Sequence, residues 1–452
     1  MPIIKKKTKP LKPARLLVLS FFCVIAAGTL LLWLPISSKT SEGISFIDCF
    51  FTATSATCVT GISLFDTYTR FTLFGQTVLI LLIQIGGLGL VTLVTFFNLA
   101  IGKKMGLIKQ NNAAGDIGSA NGLVGTKQLF IRVICFSLAF ETVGAVILMF
   151  TFVPEFGAYG VFMSFFLAIS AFCNAGFDVL GIIEPGNGLS HFSDAPQVLI
   201  PMTLLTIIGG IGFVVWENVA SYRKTKRLSI HTRVVLISTA VLLVLGALIY
   251  FIVSLMEPEK FGDMTVGERI GCSFFASASA RTAGFTAAEL PLANEFSRLC
   301  TMGLMFIGAA PGSTAGGIKI TTMAILIMTI ISVIKGREDT QIFGHLVPKK
   351  VVYKTMTVFA LSIGFVLVAF TSVYLLNPEI PVMDILYEVV SAFSTTGFTD
   401  GVSAQVGAAS KLILCLTMFA GRVGPVSLFL SLTQDKAQDK NKIMPVSDIM
   451  IG

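Results

Sequence analysis

The chain has 452 residues, of which 54% are hydrophobic and 13% are charged, with a net charge of +8 and a mean hydropathy of +0.84. This composition excludes a soluble globular protein and indicates a polytopic membrane protein. The basic residues are concentrated in a few segments, so the positive charge gives little support to nucleic-acid binding. The eight cysteines form no CxxC pair, and we predict small hydrophobic residues rather than disulfides or zinc ligands.

The first predicted element is an apolar run from Leu16 to Leu34, which follows six basic residues. A basic segment before an apolar one is also typical of a secretory signal peptide. The run is about as long as the ~20 residues that cross a bilayer and longer than the apolar part of a signal peptide. We therefore predict a retained transmembrane helix.

Lysine and arginine concentrate in five segments, which predicts the topology. The segments are the N-terminus, residues 103–132, 223–233 and 335–354, and the C-terminal tail. By the positive-inside rule these segments are cytoplasmic. The sequence therefore predicts a multi-pass protein of the cell membrane with both termini in the cytoplasm and an even number of spans.

Four short apolar runs, each rich in small residues, end in a turn with one glycine. The turns are Val59-Thr60-Gly61, Asn174-Ala175-Gly176, Thr282-Ala283-Gly284 and Thr395-Thr396-Gly397. Their glycines recur about 110 residues apart, which indicates an internal repeat. Each run of about 12 to 14 residues is too short for a bilayer core of about 30 Å. We predict that each run enters the membrane and returns to the same side.

Each turn lies between two longer apolar helices. The helices before the turns are predicted at Leu16–Leu34, Leu129–Val153, Val234–Met256 and Val351–Leu376; those after the turns carry IGGLG from Ile85, IGGIG from Ile208, IGAAPG from Ile307 and AGRVG from Ala420. The sequence thus predicts an all-α membrane protein of four M1-P-M2 repeats with pseudo-fourfold symmetry. Eight transmembrane helices and four re-entrant pore helices would result. The predicted boundaries are 1–104, 105–227, 228–338 and 339–435 for the repeats and 436–452 for a cytoplasmic tail.

The four turns are predicted to meet on one axis, because non-helical backbone at membrane depth is tolerated only where protein buries it or water bathes it. The short helices would direct their negative C-terminal ends at this axis, and the turns would offer carbonyls that replace the water shell of a cation. The twelve turn residues are therefore the predicted filter. A buried helix with a C-capping glycine is the simpler interpretation of one run, but four runs in register disfavour it. Asn174 stands where the other turns have Thr or Val, so only approximate fourfold symmetry is expected.

These four repeats, with one glycine in each turn and an interrupted third M2 helix, resemble the Trk/Ktr/HKT superfamily of potassium transporters over essentially the whole chain. The absence of two further N-terminal spans makes the chain most similar to the Ktr membrane subunit. The resemblance implies a potassium-uptake subunit without a bound cofactor and leaves sodium open as a coupling or activating ion. A serine in the first turn accompanies sodium transport in some plant members, so glycine in all four turns implies a preference for potassium.

The same resemblance implies the partners. Ktr membrane subunits are homodimers seated on a ring of cytosolic nucleotide-binding RCK subunits, which would control transport. The tail residues Asp448–Gly452 look like the family's ending, which packs at the dimer contact, whereas the residues alone indicate only an apolar terminus. The lipid bilayer is the remaining expected partner.

A glycine-rich segment interrupts the third M2 helix at Gly308–Lys319, with the sequence GAAPGSTAGGIK. Glycine costs a helix about 1 kcal/mol and proline about 3 kcal/mol relative to alanine, so we predict a non-helical segment. A phosphate-binding loop is excluded, because Ile318 follows Gly317 and no strand precedes the segment. A kink for close packing stays open, whereas the resemblance implies a mobile loop that gates the pore. The predicted gate residues are Gly308, Pro311, Gly312, Ser313, Thr314, Ala315, Gly316, Gly317, Lys319 and Arg422.

Arg422 lies in the fourth repeat at the level of this segment. An ionisable residue at this depth is costly and usually functional. We predict that it adds an electrostatic barrier below the filter or holds the closed segment through hydrogen bonds to its carbonyls. An ion pair with Glu141 or Glu217 is the alternative.

Four acids follow the turns on the predicted outer side: Asp66, Asp178, Glu289 and Asp400. They are predicted either to concentrate cations at the mouth or to be solvated loop acids. Asp178 and Asp400 lie nearest to their glycines and are the better candidates for the first role.

Two other functions stay open. The potassium-binding subunit of a P-type pump shares the four-repeat plan but needs further spans. An intramembrane enzyme would need paired membrane aspartates, a Ser-Lys or Ser-His dyad, or an HExxH motif. The sequence has none of these marks, so we predict that the protein is not an enzyme.

Overall fold

The computed structural model describes residues 13–40, 43–89, 126–186 and 188–432. These parts are helical apart from turns, loops and one hairpin. The α-helices are α1 (Pro13–Trp33), α2 (Phe46–Cys58), α3 (Thr67–Arg70), α4 (Leu73–Gly87), α5 (Thr126–Cys173), α6 (Pro196–Ile211), α7 (Phe213–Thr225), α8 (Ile230–Met256), α9 (Pro258–Phe261), α10 (Val266–Ser279), α11 (Glu295–Phe306), α12 (Ile320–Ile334), α13 (Lys349–Leu376), α14 (Val382–Ser394), α15 (Val402–Gln405), α16 (Ala408–Val423) and α17 (Pro425–Leu432). Short 3₁₀ turns occur at Pro35–Ser37, Leu180–Ile182, Ser190–Phe192 and Leu290–Leu292.

The all-α prediction misses one small element, a hairpin between α12 and α13. Its strands are β1 (Gln341–Ile342) and β2 (His345–Leu346), which pair antiparallel. Both residues of the turn, Phe343 and Gly344, have positive φ, 50° and 76°. Such a pair is typical of a type I′ turn, which usually carries Asn or Asp before the glycine. Because Phe343 takes that place, no local pattern predicts the hairpin.

The second repeat begins with one long element, α5, which Gly157 divides. Gly157 has φ 58° and ψ −132°, so helical geometry stops there and starts again. The predicted long helix lies before this residue, and the predicted short run lies after it. The short run therefore follows the long helix without an intervening loop.

Within the described residues, three helices are long and apolar enough to cross a membrane: Ile131–Cys173, Ile230–Met256 and Lys349–Leu376. α6 and α7 count as a fourth span if they are taken together, although they meet at 95°. Shorter apolar helices occur at Val18–Trp33, Leu73–Gly87 and Ile320–Ile334. These helices fit a multi-pass membrane protein, while the eight spans stay a prediction. The predicted repeat boundaries after residues 104 and 435 and the tail from 436 lie outside the described residues.

The helices that follow the turns end at or just before their glycine motifs. The last glycine of each motif has positive φ: Gly89 79°, Gly212 92°, Gly312 70° and Gly424 86°. An α-helix cannot continue through such a residue, and glycine adopts this conformation without a steric penalty. The sequence predicted an interruption in the third repeat only, but α6 also ends before Gly212 and α16 before Gly424.

The helices of the four predicted repeats pack as a closed ring. α4 packs on α5, α6 on α10, α11 on α14, and α16 returns to α2, so the fourth repeat contacts the first. The C-terminal ends of the short helices lie inside this ring: every residue of α2 from Phe51 to Cys58 is buried, as are Phe275 to Ser279 of α10. α8 and α13 instead expose apolar side chains such as Leu248 and Val368. The outer helices thus present apolar side chains, and the ends of the short helices are covered by protein. A bilayer requires this arrangement, because it tolerates non-helical backbone only where protein or water surrounds it.

Candidate functional site

All four predicted turns share the same signs of φ. Their first residues have positive φ, namely Val59 58°, Asn174 59°, Thr282 91° and Thr395 52°, and so do their glycines, namely Gly61 88°, Gly176 71°, Gly284 74° and Gly397 100°. The residue between them does not. Val and Thr are strained at positive φ, and such strain persists only where the surrounding structure imposes it.

Three of the short helices end in the same hydrogen-bonded cap. The middle residue of the turn donates its N–H to the carbonyl five residues earlier: Thr60 to Ser55 (2.8 Å), Ala175 to Ser170 (2.8 Å) and Thr396 to Ser391 (3.0 Å). This is the Schellman cap, in which the first turn residue takes the left-handed position. The third turn differs, because Ala283 N and Gly284 N both donate to Ser279 O, at 2.8 and 3.2 Å.

The four turn glycines close a ring of backbone contacts. A Cβ atom on each glycine would meet the carbonyl oxygen of the middle residue in the next turn: Gly61 that of Ala175, Gly176 that of Ala283, Gly284 that of Thr396, and Gly397 that of Thr60. The order runs from the first repeat to the fourth and back to the first. Because no side chain fits at these positions, the ring consists of backbone atoms. A ring of carbonyl oxygens can replace the water shell of a cation.

The helices after the turns approach the short helices through glycine. A Cβ atom on Gly86, Gly209 or Gly421 would meet the carbonyl oxygen of Thr57, Phe172 or Phe393, respectively. Each of these carbonyls belongs to the residue four positions before a turn glycine. The motif glycines therefore permit close packing behind the ring, a role that the sequence did not reveal.

The predicted gate segment is non-helical and lies between α11 and α12. Gly312 O accepts a hydrogen bond from Phe213 N at 3.0 Å. A Cβ atom on Gly212 would lie 2.9 Å from the carbonyl oxygen of Pro311. The segment therefore packs against the break between α6 and α7, and the two interruptions of the second and third repeats face each other.

The same segment contacts two of the short helices. Thr314 Oγ1 donates to the carbonyl oxygen of Phe172, at 3.2 Å, in the last turn of α5. A Cβ atom on Gly316 would meet the side chain of Thr395, and one on Gly317 would meet the last residue of α14. The segment thus lies next to the ring, on the side where the second and fourth short helices end.

The remaining gate residues interact within the segment. Lys319 Nζ donates to Ala315 O at 2.6 Å and to Gly316 O at 3.3 Å. Ala315 N donates to Ser313 Oγ at 3.4 Å. A Cβ atom on Gly308 would lie 2.5 Å from the carbonyl oxygen of Gly316. These contacts close the segment into a compact loop whose ends lie close together.

Arg422 contacts this loop directly. Its Nη1 donates to the carbonyl oxygen of Thr314, and its Nη2 donates to that of Gly86 and, at 3.4 Å, to that of Gly87. The guanidinium therefore joins the loop of the third repeat to the end of α4 in the first repeat. Hydrogen bonds from an ionised donor are stronger than those between neutral groups.

The two acids considered as alternative partners of Arg422 have other partners. Glu141 accepts from Gln84 Nε2 at 3.0 Å through both of its oxygens. Glu217 pairs with Arg132 at 2.8 Å, and both side chains are largely exposed. Arg422 instead donates to a backbone carbonyl of the loop, which is the contact expected if it holds the loop in place.

Of the acids after the turns, Asp400 lies in an ion pair. Arg298 Nη2 lies 2.8 Å from Asp400 Oδ2, and its Nη1 lies 2.6 Å from Asp384 Oδ1. Arg298 belongs to α11 and Asp384 to the first turn of α14. Asp400 therefore fastens the segment after the fourth turn to two helices, and it shares the charge of Arg298 with Asp384.

The other acids have local contacts. Asp178 Oδ1 accepts from Leu180 N at 3.0 Å. Burial raises the pKa of the Asp178 carboxyl to about 6; the bond from Leu180 lowers this pKa, and the charge of Asp66 raises it. Asp66 caps α3 by accepting from Thr69 N at 2.7 Å. Asp178 is thus a carboxylate at a turn whose charge depends on pH near neutrality.

Asn174 links the second turn to the third. The side-chain amide is oriented so that its nitrogen faces acceptors and its oxygen faces a donor. Nδ2 donates to Ala171 O at 3.0 Å and to Thr206 O at 3.1 Å, and Oδ1 accepts from Thr282 Oγ1 at 3.2 Å. The one turn without Val or Thr in its first position therefore carries a side-chain bond to the neighbouring turn. The replacement of Thr or Val by Asn174, which breaks the fourfold symmetry, thus links two turns that are neighbours in the ring.

Known proteins resemble the chain over nearly its whole length. A family model described as TrkH, cation transport protein, matches residues 12–442. The chain belongs to this family. The Ktr system potassium uptake protein B of Bacillus subtilis is 37% identical over 97% of both chains. The potassium/sodium uptake protein NtpJ of Enterococcus hirae is 35% identical over 100% of both, and the Ktr system potassium uptake protein B of Vibrio alginolyticus is 34% identical over 93% of this chain and 91% of its own.

The fold of the TrkH family is also present. The crystal structure of the potassium transporter TrkH from Vibrio parahaemolyticus matches with a TM-score of 0.73 at 16% identity, covering 95% of this chain and 86% of that one. The resemblance to the Trk and Ktr proteins is confirmed. The relatives are transporters, which confirms that the protein is not an enzyme. Their names describe uptake proteins and favour an uptake subunit over a pump subunit.

Proposed function

We propose that the protein is the potassium-translocating membrane subunit of a Ktr-type uptake system. The observation that carries this proposal is the ring in which each turn glycine faces a carbonyl oxygen of the next turn. Rings of backbone carbonyls bind dehydrated potassium in channels. The relatives from Bacillus subtilis and Vibrio alginolyticus are named as potassium uptake proteins of Ktr systems.

In this proposal the twelve turn residues form the filter. Glycine at all four third positions keeps side chains out of the ring, which supports a preference for potassium. The four short helices direct their C-terminal partial charges at the ring and attract a cation. Four M1-P-M2 repeats with eight spans would surround it, with both termini in the cytoplasm.

The segment Gly308–Lys319 acts as the gate in this proposal, and Arg422 holds it closed. The hydrogen bonds of Thr314 to the end of α5 and to Arg422 support this assignment. The gate opens when the loop leaves both partners. The bistable element is the loop, because the helix on either side of it is regular.

Control by a cytosolic RCK subunit and assembly as a homodimer complete the proposal. Both rest on the resemblance to Ktr membrane subunits. Sodium is included as a coupling or activating ion because the Enterococcus hirae relative is named a potassium/sodium uptake protein. No catalytic residue or bound cofactor is required, since the ion gradient supplies the free energy.

Growth of a bacterium that lacks potassium uptake tests the proposal. The chain is expressed with and without a cognate RCK subunit, on low potassium and with or without added sodium. We expect rescue, stronger with the RCK subunit present. If the protein reaches the membrane and growth is not rescued under any of these conditions, the potassium-uptake assignment is wrong.

A further inference from the structure

Glu388 is a carboxylate inside α14, the short helix of the fourth repeat, and its residue is 1% exposed. It lies nine positions before Gly397. The equivalent positions before the other turn glycines hold Thr52, Leu167 and Phe275. The fourth repeat alone therefore places an acid behind its turn.

The partners of Glu388 belong to the segment that follows the turn. Thr399 Oγ1 donates to both carboxylate oxygens, at 3.0 and 2.8 Å, and Ser403 Oγ donates to Oε1. Thr399 Oγ1 also accepts from Gly401 N at 3.0 Å. One carboxylate thus holds two hydroxyls and, through Thr399, a backbone amide, all within six residues after Gly397.

A second contact holds the same segment from another side. Asp400 lies between the two hydroxyl residues and pairs with Arg298 of α11 at 2.8 Å. The segment 398–403 is therefore fixed by a carboxylate beneath it and by an arginine beside it. Because the chain runs directly from Gly397 into this segment, its position determines where the last carbonyls of the turn point.

We propose that Glu388 is a positioning residue that fixes segment 398–403 and, through it, the carbonyl oxygens of Thr396 and Gly397 in the ion path. The inference rests on the proposed function, in which these carbonyls bind potassium. A buried carboxylate is stable only where donors satisfy it, and removal of the acceptor leaves the donors unpaired. Loss of Glu388 therefore loosens the fourth turn, which alters ion affinity and discrimination more than the maximal rate.

Potassium uptake by the purified full-length protein in proteoliposomes tests this role. Glu388→Ala should raise the KM for potassium about tenfold and reduce the potassium to sodium ratio, while kcat changes less than about twofold. Glu388→Gln keeps an acceptor oxygen and should stay within about threefold of the wild type. Thr52→Val is the matched control, since Thr52 Oγ1 donates only to Asp48 O of its own helix, at 2.8 Å, and both parameters should stay unchanged.

Amide hydrogen exchange of residues 398–403 measures how rigidly this segment is held and needs no ion transport. Glu388→Ala should accelerate this exchange, and Thr52→Val should not. A folded Glu388→Ala protein with wild-type KM, ion ratio and exchange overturns the proposal, and so does faster exchange with an unchanged KM and ion ratio. A wild-type protein that takes up no potassium either with or without a cognate RCK subunit overturns the proposed function instead, while exchange still decides whether Glu388 fixes the segment.

If Glu388→Ala does not fold, the hydroxyl side of the contact can be changed. Thr399→Val and Ser403→Ala together remove the donors and leave α14 intact. This double variant should reproduce the rise in KM and the loss of discrimination. Wild-type values for both would overturn the proposal.

Discussion

Arg422 and Thr314 are 108 residues apart in sequence, yet the guanidinium of the first donates to the backbone carbonyl of the second. The same guanidinium donates to Gly86 O at the end of α4. One side chain of the fourth repeat thus holds the loop of the third repeat against the first repeat. Since the acceptors of Arg422 are neutral carbonyls, its positive charge beside the proposed filter is not cancelled by an acid among these contacts.

Removal of this contact should open the proposed gate. Arg422→Ala deletes three hydrogen bonds from a charged donor, one of them to the loop. Such bonds are worth about 1.5 to 3 kcal/mol each, so potassium flux should rise about tenfold or more. Deletion of residues 312–315 should also raise it. Rubidium flux through proteoliposomes is the measurement, and Arg132→Gln, which breaks an exposed ion pair, is the control. Folded Arg422→Ala protein with equal or lower flux would contradict the gate assignment.

The ring geometry predicts the outcome of glycine substitutions in the turns. A side chain at Gly61 would meet Ala175 O and would also have to adopt φ 88°. Gly61→Ser should therefore lower potassium uptake at least about tenfold and reduce discrimination against sodium. Gly271→Ala is the matched control, because nothing lies within 4 Å of a Cβ atom there. Uptake in competition with sodium distinguishes the two, and equal potassium uptake by wild type and Gly61→Ser would disprove the filter role.

Much of this arrangement was predictable because long apolar runs and a repeated glycine are strong signals. The helices predicted at Val234–Met256 and Val351–Leu376 end at the same residues in the structure and begin only two to four residues earlier. The four turns lie at the glycines from which they were predicted. Glycine is a strong signal here, because few other residues adopt positive φ without strain.

Other features depend on contacts that no local pattern records. The acceptors of Arg422 are backbone carbonyls, which any residue could supply, so its partners could not be identified among the side chains. Glu388 lies in a buried helix, and its donors become neighbours only when the chain turns back after Gly397. The breaks at Gly212 and Gly424 were missed because these motifs contain no proline, and glycine costs a helix only about 1 kcal/mol per residue.

Asp178 should make uptake depend on external pH. Its pKa of about 6 lies above the usual 3.8, so the carboxylate is charged above this pH and neutral below it. The negative charge next to the second turn is therefore lost on acidification, and the KM for potassium should rise about threefold between about pH 7.5 and about pH 5. The folded state binds this proton more tightly than the unfolded chain, so acidification removes an unfavourable contribution to stability.

Asp178→Asn separates this effect from other acid effects. The variant should show the raised KM at every pH, with a flatter profile than the wild type. Glu289→Gln serves as the control and should keep the wild-type profile. A wild-type profile in Asp178→Asn would rule out this carboxylate as the titrating group.

Two ion pairs occupy equivalent positions in the ring, and both should stabilise it. Lys411 pairs with Asp48 at 2.7 Å, and Arg298 pairs with Asp384 at 2.6 Å. Each basic residue is the fourth of its helix, and each acid is the third residue of the next short helix. Because the side chains of Lys411 and Asp48 are only 15% and 26% exposed, a double-mutant cycle of Lys411→Met and Asp48→Asn should give a coupling of about 1 to 2 kcal/mol. Thermal unfolding in detergent measures it, and an additive double mutant would show that the pair contributes nothing.

Substitutions of Asn174 test whether its side chain stabilises the second turn. Asn174→Gly keeps the left-handed conformation but loses three hydrogen bonds, so unfolding should become about 2 kcal/mol easier. Asn174→Thr copies the third and fourth turns but adds the penalty of a β-branched residue at positive φ, about 1 kcal/mol more. Thermal unfolding should therefore rank the wild type above the Gly variant and the Gly variant above the Thr variant. Equal stability of wild type and Asn174→Gly would mean that the bond to Thr282 contributes nothing, and the asymmetry would then need another cause.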